Sequence, residues 1–414
     1  MIILLLLNGS DVAGVEWGTS GMTGKGGALR STSWWLSGRK GPTKPPVRPV
    51  AATEGPSSDS PCNDQPDVVL TTSPDFDADA FCKSIPMALD PTRTLHARPV
   101  PNRIYYGIMM NKEVDMLEVV LQEIYPVVDK IILVESTVSH SLKPKESFVK
   151  TLFVSNSTFG TRFSQFSPKI IHQQYTPRRK YVSGWDIEKR QRQVFIGAAM
   201  ANGILEGDVA VANMDLDELI NYKMLLKLRY CSEDPEVADD PKRISFDLVH
   251  FRYHLNCLTE PTATRYMRTI FYWRDGYLPS LYMLRKASGP IVIPNLTDVS
   301  TFMRDRQYRL AWHMSTFGGV EGILQKRQNS PHRFVSETEN SEAKAEVEKN
   351  SSLSFDDANA IVMQRQINEC VFRTPRTLVS VTRDVLPRAL QNPSSDCKFL
   401  KSGFIKRRPP PPPV

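Results

Sequence analysis

The sequence has no C-x-x-C pair. Its six cysteines, Cys62, Cys82, Cys231, Cys257, Cys370 and Cys397, are scattered, so neither a zinc cluster nor a thioredoxin-like redox motif has ligands at the spacing it needs. A long apolar run is missing too. The N-terminus reads MIILLLLNGSDV, with six apolar residues from Ile2 to Leu7 and no basic residue before them. A membrane span takes about 20 apolar residues and a signal h-region about 7 to 15. As written, the run is neither. The expectation is that the chain is not anchored by this route or that its true start lies elsewhere. No internal repeat is found, which excludes a repeat architecture. Regular periodicity is absent from residues 8–100, which are rich in Gly, Ser, Thr and Pro. Residues 1–100 are therefore expected to form a mostly disordered stem, with order beginning near Arg103.

The 414 residues allow one large or two ordinary domains, at roughly 100 to 200 residues each. Lys and Arg exceed Asp and Glu by 52 to 45. Much of the excess lies in tails such as KRRPPPPP at 406–413, so residues 391–414 read as a disordered basic tail and no nucleic-acid partner is expected. Asn-x-Ser/Thr sequons begin at Asn8, Asn156, Asn295 and Asn350 and suit a secretory protein.

The ordered part is expected to be a single α/β domain over residues 101–390. RIYYGIMM (103–110) suits a buried strand. DMLEVVLQEIY (115–125) places Leu117, Val120, Leu121 and Ile124 at helical spacing, and DKIILVES (129–136) is a second buried strand. Strand, helix and strand in this space predict a parallel sheet. A longer amphipathic helix follows at 185–204, then a third strand, DVAVANM, and a further helix beginning at Glu218. Residues 244–294 read as strands of a more mixed sheet. The charged segment 336–352 reads as a solvated insertion, and 356–372 as a helix.

The third strand ends in an acidic cluster, Asp215, Asp217 and Glu218. In extended backbone alternate residues face one way, so Asp215 and Asp217 would present both carboxylates together. That pair suits Mn²⁺ or Mg²⁺, which accept one or two protein carboxylates and complete their shell with phosphate oxygens and water. Open α/β sheets bind ligands outside the carboxyl ends of their strands, where the cluster is predicted to lie. The plainer alternative makes Asp217 a helix cap and Glu218 a favourable charge in the first turn of the helix.

Three blocks in this region resemble glycosyltransferase family 17. Residues 111–148 carry E-x-D-x-L-E, V-D-x-x-x-x-V-E-S and K-P-K elements; ANMDLDELI (212–220) is similar to the family's D-V-D-E-I-P motif; and AWHMSTFGG onward (311–334) is similar to its G-W-H-x-S block. The resemblance covers about 103–335. It departs at Ile220, where the family usually has Pro, at Ala311 for Gly, at Val120 for Arg, and in the spacing of Ser to His332. It implies a GT-A-like, mostly parallel, Rossmann-like catalytic domain. By the same resemblance the enzyme would be an inverting N-acetylglucosaminyltransferase, moving GlcNAc from UDP-GlcNAc to a mannose of an N-glycan or glycoprotein acceptor through a β-1,4 linkage, membrane-associated in the Golgi or secretory pathway. Asp215 and Asp217 would hold the metal, and Glu218 or Glu260 would be the base. Glu135, Lys145, Glu188 and Arg192 would serve the donor, and Trp312 and His313 a sugar. Taken alone, Glu188 and Arg192 could equally form a surface i, i+4 pair. A non-catalytic glycan-binding relative and a metal-dependent nucleotidyl- or phosphotransferase remain the alternatives.

Overall fold

The computed structural model describes residues 76–85, 94–153, 160–177, 183–232, 243–273, 286–293, 299–315, 337–372 and 385–391, with isolated positions between 317 and 378. All belong to the unit Ser58–Val414. Order starts before Arg103. A short helix, α1 (Ala78–Lys83), is capped by the Asp77 carboxylate and joined by a Cys82–Cys231 disulfide to a small pairing of β1 (His96–Ala97) with β7 (Cys231–Ser232). Part of the expected stem is therefore pinned to the domain.

Strand β2 (Ile104–Met110) is buried at every position but Met109. The period of two divides its residues between two faces. Ile104, Tyr106 and Ile108, with Ile131 and Leu133 of β3 (Lys130–Ser136), pack with Leu117, Leu121 and Ile124 of α2 (Val114–Ile124). Tyr105, Ile132 and Val134 face the other way, with Phe195, Ile196 and Ala199 of α3 (Gly184–Ala201). Between β3 and α3 runs β4 (Ile170–Tyr175), and α3 leads into β5 (Val209–Asp215). These four strands lie in the order β4-β3-β2-β5, all parallel, with α2 and α3 covering opposite faces.

Beyond β5 the sheet is mixed, so the mostly parallel expectation holds only for this half. Strands β8 (Arg243–Arg252) and β9 (His254–Tyr272) form a long hairpin that turns at Tyr253, whose φ is +65°. Strand β9 pairs antiparallel with β5, β8 and β10 (Lys286–Val292). Next to β8, and parallel to it, runs β11 (Leu310–Ser315), which pairs antiparallel with β6 (Glu218–Ile220). A hairpin of adjacent strands is antiparallel by necessity, because a parallel return needs a crossover.

Two further expectations change. The helix expected from Glu218 starts at Tyr222 as α4 (Tyr222–Tyr230), capped by Asn221, whose side chain accepts from Lys223 N at 2.8 Å. Asn is a strong N-cap, and the fully buried Leu219 and Ile220 belong to β6, so Asp217 is no cap. The segment 336–352, expected as a solvated insertion, forms α6 (Glu337–Lys349), which follows α5 (Val299–Asp305) in the chain. It is joined to α7 (Phe355–Glu369) by Arg365 contacts to Glu342 and Glu346 at 3.1 and 3.2 Å. Residues 1–75 and 392–414 lie outside the described residues.

Glu123, buried on α2, accepts from the backbone N–H groups of Tyr222 (2.9 Å) and Arg388 (2.6 Å). Burial raises its pKa to about 7 from 4.5 despite these donors. It holds its proton more tightly folded than unfolded, so its contribution is full below pH 4.5 and lost as pH rises through 7. The unfolding free energy should fall by on the order of 3 kcal/mol across this window on account of Glu123. Glu123→Gln should flatten that slope in urea melts at successive pH values.

Candidate active site

The carboxyl edge of the parallel half gathers most of the predicted residues. In register, Met109 of β2 faces Asp215 of β5, and the next residue, Met110, faces Glu135 of β3, so both acids lie at the carboxyl ends of their strands with β2 between them. Helix α3 carries Glu188 and Arg192 one turn apart. Arg192 donates to Glu188 Oε1 at 2.9 Å and to Asp215 Oδ1 at 2.7 Å. Arg192 is only 4% exposed, so the surface-pair alternative fails. A guanidinium that deep needs carboxylate partners, and it has two.

Asp217 lies in the turn to β6. Lys326 Nζ donates to its Oδ2 at 2.6 Å, and His313 Nε2 stands 3.5 Å from the same oxygen. The main chain fixes this turn, with Met314 N–H donating to Asp217 O at 2.7 Å. Behind His313, its Nδ1 shares a hydrogen bond with His250 Nδ1 (3.0 Å), and His250 Nε2 pairs with Thr264 Oγ1 at 2.9 Å. A polar file thus crosses β11, β8 and β9. Burial alone would raise the Asp217 pKa, but the Lys326 ammonium and His313 hold the carboxyl well below its ordinary value. Burial works against protonated His313, yet the Asp217 carboxylate raises its pKa.

Other predicted residues are placed differently. Glu135 is fully buried and accepts from Ser147 Oγ (2.9 Å), Phe148 N (2.8 Å) and Val149 N (3.1 Å). Burial opposes its charge, but His172 and the two backbone donors, helped by Lys145, bring its pKa down to about 2. Lys145 Nζ donates to Met110 O (3.1 Å) and Asn111 Oδ1 (3.2 Å) and sits 3.6 Å from Glu135. These contacts clip the loop after β3 to the sheet. Trp312 corrects the sugar-stacking expectation. It is 0% exposed, packed in the core between Leu219 and Val249 in register, and sugar stacking needs an open ring face. Glu218 sits opposite His313 in the β6–β11 pair and is 1% exposed. Glu260 is placed only by its backbone, on β9, and His332 lies outside the described residues. The sequence reading missed Lys326, His250 and Thr264. Only Lys326 left a signal, as the lysine of the third block.

The fold is a mixed α/β domain whose acid cluster lies at the carboxyl ends of its parallel strands, the edge at which open α/β sheets bind ligands. A sequence model of glycosyltransferase family 17 matches residues 61–275, more than half of the 414 residues, and the chain belongs to that family. It is a glycosyltransferase, and the family implies a nucleotide-sugar donor and a glycan acceptor. The match begins at residue 61, inside the stretch expected to fall outside the resemblance, and ends before the third block. No curated protein and no solved structure gives a significant match.

Replacing Asp217 with Asn removes the carboxylate that favours the imidazolium. The His313 pKa, raised in the native chain by that carboxylate, should fall. Histidine ring signals followed by NMR through a pH titration would measure this.

Proposed function

We propose that the chain transfers GlcNAc from UDP-GlcNAc to a mannose residue of an N-glycan-type acceptor, with inversion and in a β-1,4 linkage, as a GT-A-like enzyme of the Golgi. The observation that supports this most is the acid pair at the carboxyl edge of β5, with Asp215 held by Arg192 and Asp217 by Lys326 and His313. Family membership supplies the reaction class. The Cys82–Cys231 and Cys257–Cys370 disulfides support a secretory compartment, because such bonds persist where conditions are oxidising. No helix among the described residues is long and apolar enough to cross a membrane.

In the transfer, the acceptor hydroxyl oxygen bonds to the sugar C1 as the C1–O bond to the β-phosphate breaks. The electron pair leaves with the diphosphate, and the hydroxyl proton passes to a base. Glu218 and Glu260 are the proposed bases. Glu218 stands closed off behind His313, and β9 carries Glu260. Asp215 and Asp217 offer hard carboxylate oxygens, each with one oxygen taken by a cationic side chain in the contacts above. Among the described residues no group of three or more His, Cys, Asp or Glu side chains is placed to hold a metal ion by itself. An ion held by the pair would draw the rest of its shell from the diphosphate and water. When bound, such an ion stabilises the charge on the departing diphosphate as a Lewis acid. Arg192 holds Asp215 in place, and His313 orients Asp217.

The test is transfer from UDP-GlcNAc to a mannose-containing N-glycan with Mn²⁺, with the product linkage read by NMR. Asp217→Ala should lose on the order of 10²- to 10³-fold or more in kcat. Failure of the wild type to consume UDP-GlcNAc while consuming another sugar nucleotide would overturn the donor assignment.

A further inference from the structure

Two cations meet the acid pair, and they are held in different ways. Arg192 is buried and gripped by two carboxylates at 2.9 and 2.7 Å, so it has no freedom to leave. The Lys326 side chain is 33% exposed and donates to Asp217 Oδ2 at 2.6 Å. Its ammonium is a compact point charge on a flexible four-carbon stem. It also feels the charges of Glu113, just before α2, and of Asp215. Lys326 is thus the point at which all three sequence blocks meet: Glu113 from the first, Asp215 and Asp217 from the second, Lys326 itself from the third.

We propose that Lys326 is a catalytic residue that changes partner, neutralising Asp217 before the donor arrives and turning to the diphosphate as the donor binds. This rests on the transferase reading above. An ammonium and a divalent cation repel, so both cannot stay on one carboxylate side by side at full strength. Released from Asp217, the ammonium lies at the edge where the C1–O bond breaks. There it meets the charge that the leaving diphosphate gains, and stays protonated throughout.

The experiment compares wild type, Lys326→Met and Lys326→Arg in two measurements. The first is steady-state transfer from UDP-GlcNAc. The second is Mn²⁺ binding without nucleotide, followed by electron paramagnetic resonance, with thermal melts confirming the fold. Lys326→Met should lose about 10²-fold in kcat with little change in acceptor KM, and bind Mn²⁺ about tenfold more tightly because its competitor is gone. Lys326→Arg should recover part of kcat. A lysine that merely braces the turn predicts the opposite for the ion: Asp217 loosens and Mn²⁺ binding weakens. Wild-type kcat in Lys326→Met, or Mn²⁺ binding that fails to tighten, overturns the proposal while leaving the transferase reading intact. A wild type that transfers no GlcNAc, or that binds no Mn²⁺, overturns the reading beneath it as well.

Discussion

Carboxylates crowded at one sheet edge repel one another, and the fold is built to answer that repulsion. Arg192 is the central answer. It reaches from the interior of α3 to Asp215 at the end of β5, and its own side chain is buried. Helix and strand are thereby tied at the ligand edge by a charge contact, while apolar packing of Phe195 and Ala199 against Ile132 and Ala210 ties them below it. The site and the core are continuous: the residue that would steady the donor end also closes the layer.

The mixed half of the sheet supplies what the parallel half lacks. Its β8–β9 hairpin and β11 bring His250, Thr264 and His313 into one file, ending at Asp217. The small strand β6 turns back against β11 and so sets Asp217 beside His313 and Lys326. Had residues 218–220 been helical, as their sequence suggests, the turn would point Asp217 elsewhere. A three-residue strand thus decides the geometry of the acid cluster.

Much of this was legible in the chain. Buried strands at 104–110 and 130–136, and the helix between them, follow from apolar runs and a clear helical period, because both faces of the parallel sheet are covered. The acid cluster at a strand's carboxyl end was legible for the same reason. Less legible were features set by partners distant in sequence. Glu135 reads as a donor contact, and its bonds from the backbone of Phe148 and Val149 leave no mark in the sequence. Trp312 looked like a sugar platform, but alternation on β11 turns it inward and His313 outward. His250 gave no local pattern and Lys326 only its place in the third block, since their roles arise only when β8, β11 and Lys326 come together.

The Cys257–Cys370 bond links β9 to the residue that ends α7, 113 positions further along the chain. The family match stops at residue 275, yet this covalent ring closes well beyond it. A boundary drawn by homology would cut the ring open, strand a lone thiol at Cys257 and strip the hairpin of α6 and α7 from the strand it is stitched to. A fragment ending with the match would therefore lack the covalent stitch between β9 and α7.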